Sequence, residues 1–151
     1  QPQLDRMPAE HGNHRSAQTP GGNDFLDGGR GRDFLSGGGG ADIFDFDSIN
    51  ETSNSRGARD VITDFRHRVD DIDLSAIDAS RPVGGNNSFV WRGLGGFTGS
   101  SDGELRFQKF NNAGTSNDYT VVYGDTDRDN SSEFQIELKG LVNLTSADFA
   151  L

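Results

Sequence analysis

Apolar residues recur every nine positions between residues 19 and 45, and each follows an aspartate by two positions. These pairs are Asp24 and Leu26, Asp33 and Leu35, and Asp42 and Phe44. Glycine-rich runs separate the pairs and allow tight chain reversal, because glycine adopts positive φ at little steric cost. One inward apolar side chain in each unit cannot form a core alone, so the units must stack on one another. The pattern predicts short parallel strands wound into a roll.

The same spacing predicts where the acidic residues meet. If turns and strands alternate, two nonamers complete one coil, and Asp24 lies beneath Asp42. Continuing the register places Glu51 at the next aspartate position, over Asp33. Stacked carboxylates repel one another unless a cation lies between them, and calcium takes six to eight oxygen ligands in flexible geometry. We therefore expect calcium to be held by carboxylates and turn carbonyls of Asp24, Asp33, Asp42, Glu51, Gly28, Gly38 and Gly40.

The remainder of the chain has a different pattern. Apolar and acidic residues alternate with period two between residues 56 and 80, as in half-buried strands. Strand-like runs follow at 88–92, 104–110 and 118–123, separated by loops rich in glycine and asparagine. We predict an all-β fold in which a mostly parallel β-roll is capped by an antiparallel or mixed β region.

Three segments follow from these patterns. Residues 1–18 show no periodicity and are predicted to be a linker or lead-in segment. The module proper spans residues 19–151, with the roll at about 19–54 and the cap, including the C-terminal stretch, at 55–151. A chain of 151 residues corresponds to one domain.

Composition supports a domain stabilised by more than its core. Only 31% of the residues are hydrophobic, the net charge is −10, and 19 of the 24 acidic residues are aspartate. Such a charge disfavours a nucleic-acid partner, because phosphate binding requires basic residues. No run of about 18 apolar residues is present, so we expect no membrane span. The absence of cysteine excludes disulfides, which makes a metal more plausible as a staple for a thin core.

The second and third nonamers, residues 28–36 and 37–45, match G-G-x-G-x-D-x-U-x at every fixed position. They resemble the RTX, or hemolysin-type, calcium-binding repeat of proteins exported by bacterial type I systems. The resemblance implies a parallel β-roll, Ca²⁺ as cofactor and a secreted, extracellular location. Residues 144–151 resemble the C-terminal export signal of serralysin-type proteins, which implies a type I (ABC) exporter as partner.

The segment after the nonamers carries a second resemblance. The D-x-I-x-D-F stretch that begins at Asp60 resembles the region following the roll in serralysin-type metalloprotease C-terminal domains and in alginate epimerase R-modules. It implies that Asp60 or Asp64 reaches a calcium ion at the edge of the roll. Solvated strand faces are an equal alternative for these two residues.

A further acidic loop lies near the C-terminus. Asp125, Asp127, Asp129 and Glu133 occupy positions 1, 3, 5 and 9 of a loop that resembles the first part of an EF-hand. Position 6 is Asn130 rather than glycine, and position 12 is Ile136 rather than glutamate. A third calcium site at Asp125, Asp127 and Asp129 and an acidic hairpin turn are both open.

No catalytic motif is present in the sequence: it has no His-Glu-x-x-His, Gly-x-Ser-x-Gly or phosphate loop. We expect a non-catalytic, monomeric calcium module that folds outside the cell and supports secretion and stability of a larger protein, such as a metalloprotease or a polysaccharide epimerase or lyase. The alternative is an accessory module that binds an acidic polysaccharide of the alginate type. That function needs arginines on one sheet face, drawn from Arg56, Arg59, Arg66, Arg68, Arg92 and Arg106. Trp91, Tyr119 and Tyr123 would then stack on sugar, although packing in the core is the simpler role for them. A free-standing adhesive surface protein is a third possibility.

Overall fold

The computed structural model describes residues 6–7, 15–18, 20–80, 84–99, 103–113 and 116–151. These residues form β-strands and one short 3₁₀ helix, and they contain no α-helix. Within these ranges no helix has the length and apolar character that crossing a bilayer requires. The elements are β1 (Arg6–Met7), β2 (Arg15–Gln18), β3 (Phe25–Asp27), β4 (Asp33–Ser36), β5 (Ile43–Asp45), β6 (Asp60–Ile62), β7 (Asp71–Asp73), β8 (Val90–Gly93), β9 (Glu104–Phe110), β10 (Tyr119–Asp125), β11 (Phe134–Lys139), the 3₁₀ helix (Ser146–Asp148) and β12 (Phe149–Ala150).

The strands form two sheets, and the first part of the chain alternates between them. One sheet has the order β1-β3-β5-β7-β12 and is parallel throughout. The other has the order β2-β4-β6-β11-β10-β9-β8, parallel as far as β11 and antiparallel from β11 to β9. Successive strands that alternate between two parallel sheets make a β-roll. The predicted fold class, a parallel roll capped by a mixed β region, is confirmed.

The roll is longer than the predicted residues 19–54. On its N-terminal side, β1 and β2 pair in parallel with β3 and β4. On its C-terminal side, β6 and β7 add another strand to each sheet. The aspartate-x-apolar part of the repeat persists in these two strands, while longer loops replace the glycine turns. Residues 1–5 and 8–14 of the predicted lead-in segment lie outside the described part of the chain.

The interior of the roll is filled by the apolar position of each unit. Leu26, Leu35 and Phe44 are fully buried, as their spacing predicts, and Ile62 and Ile72 continue the same columns on β6 and β7. Full burial of such a side chain is worth about 1.5–3 kcal/mol. The core is therefore one apolar layer, extended by each coil.

The cap adds further apolar side chains to this layer. Leu105, Phe107, Val122 and Ile136 belong to the same buried cluster as the inward residues of the roll. Trp91 packs on the ring of Phe107, with centroids 5.7 Å apart, and on that of Phe149. Trp91 therefore has the packing role anticipated as the simpler one.

The C-terminal stretch is folded into the roll. Phe149 is paired with Ile72 across β12 and β7 and is buried. Asp148 is fully buried and accepts hydrogen bonds from the backbone N–H groups of Thr145 and Arg68 and from Nδ1 of His67. Burial acts to raise the pKa of Asp148, but these hydrogen bonds outweigh it and lower the pKa. The stretch is thus held by a charged anchor as well as by apolar packing.

The glycine turns bring successive coils into backbone contact. Gly40 has a φ of +121°, and a Cβ atom built there would lie 1.9 Å from the carbonyl oxygen of Gly22 in the turn below. Gly39, beside it, has no positive φ and no atom within 4 Å of its Cβ position. The stacking of the coils therefore requires glycine at position 40 but not at position 39.

We predict that Gly40→Ala destabilises the folded protein by more than about 2 kcal/mol, because it combines backbone strain with a clash against a neighbouring coil. Gly39→Ala, the matched control, should change stability by less than about 0.5 kcal/mol. Thermal or urea unfolding in one calcium-containing buffer measures both. Equal effects of the two substitutions would contradict the stacking of these turns.

Candidate metal centre

The first column of carboxylates lies where β3, β5 and β7 begin. The N–H of Asp24 donates to Oδ1 of Asp42 at 3.0 Å, and the N–H of Asp42 donates to Oδ1 of Asp70 at 3.0 Å. All three residues are at most 3% exposed. The predicted placement of Asp24 beneath Asp42 is confirmed by this contact and by the pairing of β3 with β5. Asp70 was missed from sequence because a longer loop delays it.

A second column lies at the other edge of the roll, where β4 and β6 begin. The N–H of Asp33 donates to Oδ1 of Asp60 at 2.8 Å, and both residues are buried. Asp60, and not Glu51, therefore stacks over Asp33, so the predicted position of Glu51 is wrong. Glu51 lies in the preceding loop, where its Oε2 accepts the N–H of Asp47. Its part in binding metal stays a prediction.

The reason for this correction is the need for an apolar side chain two positions after the aspartate. Asp60 is followed by Val61 and by Ile62, which is fully buried, whereas Glu51 is followed two positions later by the polar Ser53. Thr52 links Asp60 to the cap. Its hydroxyl accepts a hydrogen bond from the N–H of Asp60 and donates one to the carbonyl of Gln135. The chain therefore forms a loop between β5 and β6 before the aspartate-x-apolar pattern of the roll resumes at Asp60.

Each column leaves carboxylate oxygens without a hydrogen-bond donor. The Oδ2 atoms of Asp24, Asp42 and Asp60 are buried and have no hydrogen-bond partner among the described residues. An unsatisfied buried carboxylate oxygen is costly and is rare in native proteins. Hard cations take such oxygens as ligands. This donor set fits a calcium ion, and the fit rests on the orphaned oxygens rather than on the number of acidic residues.

The electrostatic environment of the aspartate columns favours the binding of a cation. Burial raises the pKa of Asp42, and the adjacent carboxylates of Asp70 and Asp24 raise it further, against the hydrogen bond from the N–H of Asp24. Burial, together with the charges of Asp33 and Glu51, raises the pKa of Asp60 to about 8, against the hydrogen bond from the N–H of Asp33. A cation beside these carboxylates would favour their ionised forms and so oppose both shifts.

Asp64 and the glycine turn of residues 37–40 form one unit at the first edge. The Asp64 carboxylate accepts hydrogen bonds from the N–H groups of Gly37 and Gly38 and from the hydroxyl of Ser36. The carbonyl oxygen of Gly40 accepts a hydrogen bond from the guanidinium of Arg66. Asp64 therefore links the loop between β6 and β7 to the turn of residues 37–40. Neither Asp64 nor the buried Asp60 lies on a solvated strand face. Their role as ligands stays a prediction.

Gly28 lies beside the second column. A Cβ atom built on it would lie 2.9 Å from Oδ2 of Asp33. Glycine at this position therefore leaves room for the carboxylate to reach the turn. Coordination through the carbonyls of Gly28, Gly38 and Gly40 stays a prediction.

The loop between β10 and β11 gathers the carboxylates predicted for a third site. Oxygens of Asp125, Asp127, Asp129 and Glu133 all lie within 4.8 Å of one another. Asp125 accepts three backbone hydrogen bonds, from Asp127, Arg128 and Asn130. Asn130 has a φ of +67°, the conformation that glycine would otherwise supply. The loop therefore has a shape able to hold a metal ion.

The arginines divide between three places. Arg56 and Arg59 lie over the ring of Tyr119, at 5.3 and 5.6 Å from its centroid, and Arg106 lies 5.1 Å from that of Tyr123. Arg66 and Arg68 lie in the loop between β6 and β7, and Arg92 faces Glu104. The six candidates therefore do not share one face, although three of them surround the two tyrosines of β10.

The chain belongs to the family described as Peptidase M10 serralysin C terminal, whose model matches residues 22–151. The resemblance to RTX-type repeats and to serralysin-type C-terminal domains is thereby confirmed. Its domains are non-catalytic C-terminal modules, and membership supports a calcium-binding accessory module. A comparison with curated proteins found no match.

Two solved structures share the fold. The AlgE6R3 subunit of the Azotobacter vinelandii mannuronan C5-epimerase superposes with a TM-score of 0.57 at 24% identity, covering 99% of this chain and 85% of that one. The AlgE6R2 subunit of the same enzyme gives a TM-score of 0.57 at 25% identity, covering 100% of this chain and 92% of that one. The predicted likeness to epimerase R-modules is thus confirmed at the level of fold.

We predict that Asp42→Asn removes much of the stabilisation that calcium gives, because it deletes the negative charge that lies between Asp24 and Asp70 in the first column. At calcium ten times the dissociation constant, loss of one site costs about 1.4 kcal/mol. Unfolding curves across a calcium series measure this dependence. Asp118→Asn, in the loop before β10, makes the same charge change and should keep the wild-type dependence. An Asp42→Asn variant that also kept it would argue against a metal in this column.

Proposed function

We propose that this chain is a calcium-dependent folding and export module of a larger extracellular protein. The observation that carries the proposal is the pair of buried aspartate columns, in which the buried Oδ2 atoms of Asp24, Asp42 and Asp60 lack hydrogen-bond donors among the described residues. Calcium is the hard cation whose ligand number and flexible geometry suit carboxylates and carbonyls of stacked turns. Family membership supports the same assignment.

Calcium concentration would act as the folding switch. Without a cation, the columns set carboxylates against one another in a domain with one apolar layer, and the unfolded chain is favoured. Extracellular calcium modules bind with dissociation constants of about 10⁻⁴–10⁻³ M. Several such sites together supply a large share of the typical 5–15 kcal/mol net stability of a domain. The module stays threadable inside the cell and folds outside it.

The buried C-terminal stretch fits this order of events. Leu144, Asp148 and Phe149 are all buried in the folded state. A type I exporter that reads residues 144–151 would therefore have to bind them before the module folds. Folding outside the cell then withdraws the signal and stabilises the attached protein.

The proposal predicts that chelation abolishes cooperative unfolding. We expect a cooperative thermal transition in millimolar calcium and none in excess chelator, measured by circular dichroism, with calorimetric titration giving the number of ions. Magnesium at the same concentration is the control, because its preference for rigid octahedral geometry suits these turns poorly. An unchanged melting temperature in chelator would reject the proposal.

A second function, binding of an acidic polysaccharide, is favoured by the face of β10. Arg56 is exposed and lies over Tyr119, and both residues line one groove with Lys139 and Asn112. Guanidinium groups bind carboxylates in bidentate fashion, and aromatic rings offer a face for stacking. The AlgE6R2 subunit, of similar fold, comes from an epimerase acting on mannuronan. We propose alginate-type polymers as the ligand class for this groove.

Titration with alginate oligomers at low salt tests this second function. We expect binding that Arg56→Ala weakens by about tenfold, the loss of one charge-assisted contact. Arg92→Ala is the control, because Arg92 faces Glu104 and lies outside the groove. Absence of binding by the wild-type protein would leave only the folding and export role.

A further inference from the structure

A second group of carboxylates lies at the opposite ends of the same strands. Asp27, Asp45 and Asp73 are the last residues of β3, β5 and β7 and are in register with one another. Asp47 follows two positions after Asp45. Like charges directly opposite one another on adjacent strands destabilise a sheet. This ladder is separate from the aspartate columns, which lie where the strands begin.

Three of these acids converge on one point. Carboxylate oxygens of Asp27, Asp45 and Asp47 lie within 4.8 Å of one another. Calcium binds oxygen at about 2.3–2.6 Å, so two of its ligands are at most about 5 Å apart. The spacing of the three carboxylates is therefore that of oxygens around a single ion. Asp73 is outside the group, and its Oδ1 accepts the N–H and the hydroxyl of Ser75.

Asp45 is the residue that needs a ligand. It is 7% exposed, yet its carboxylate accepts no hydrogen bond from any described residue and forms no ion pair with a described arginine or lysine. Burial, followed by the charges of Asp47, Asp73 and Asp27, raises the pKa of Asp45 to about 7. A largely buried carboxylate beside two like charges is stabilised when a cation offsets the repulsion among the three.

We propose that Asp27, Asp45 and Asp47 bind a calcium ion at the ends of β3 and β5, distinct from the sites in the turns. Asp45 supplies the buried ligand, Asp27 the ligand from the coil below, and the exposed Asp47 the ligand from the loop. The ion ties the loop after β5 to the roll, at the point where the chain leaves the regular repeat. The inference depends on the proposed function only in that the protein must be folded in calcium.

Native mass spectrometry of the folded chain in calcium, supported by calorimetric titration, counts the bound ions. Asp45→Asn and Asp47→Asn should each bind one calcium ion fewer than the wild-type protein. Asp73→Asn removes the same charge from the same ladder and should keep the wild-type number. Asp47 is exposed, so its variant folds even if loss of the buried Asp45 carboxylate prevents folding.

The outcome separates this site from the turn sites. If Asp47→Asn and Asp45→Asn bind as many ions as the wild-type protein, the inference is overturned. If Asp42→Asn nevertheless loses ions, the proposed function stands without the additional site. If the wild-type chain binds no calcium, both proposals fail.

Discussion

The structure depends on like charges brought together by backbone geometry. In a parallel roll, equivalent residues of successive coils lie about 4.8 Å apart, so a repeat that places aspartate in each unit builds a column of carboxylates. The N–H groups of Asp24, Asp33 and Asp42 each donate to one carboxylate oxygen of the next coil. The Oδ2 atoms of Asp24, Asp42 and Asp60 have no hydrogen-bond partner among the described residues. The unfavourable charge is therefore built into the register of the strands. The core, the cap and the hydrogen bonds of the fold must offset this repulsion between the stacked carboxylates.

Compensation within the protein is incomplete, and this makes stability conditional. The core is a single apolar layer whose members are buried, but each nine-residue unit of the roll contributes only one side chain. The cap adds further apolar side chains, and it is joined to the last coils by the hydrogen bond from Thr52 to Gln135 and by the pairing of β6 with β11. These interactions hold the roll in shape, but they leave the carboxylate oxygens of the columns unsatisfied. The proposed calcium ions would supply the missing partners of these oxygens.

The nonamers made the regular part of this arrangement predictable. Leu26, Leu35 and Phe44 follow from a strict nine-residue spacing, as does Asp24 beneath Asp42. Where loops vary in length, the register depends on which aspartate has an apolar residue two positions later, a condition that Asp60 and Asp70 meet and Glu51 does not. The pairing of β6 with β11 arises from a contact between the roll and the cap, which no local spacing encodes. The acidic loop at 125–133 was foreseeable because its spacing is local.

The hydrogen bonds between the aspartates of each column all run from the N–H of one coil to the carboxylate of the next. Asp24 donates to Asp42, Asp42 to Asp70 and Asp33 to Asp60, and Asp60 is anchored by Thr52 to the cap. Each of these aspartate-to-aspartate bonds joins residues 18 to 28 positions apart in the sequence. Because such contacts form only after the intervening chain has closed a loop, a column of carboxylates belongs to the assembled roll and cannot form within one isolated coil.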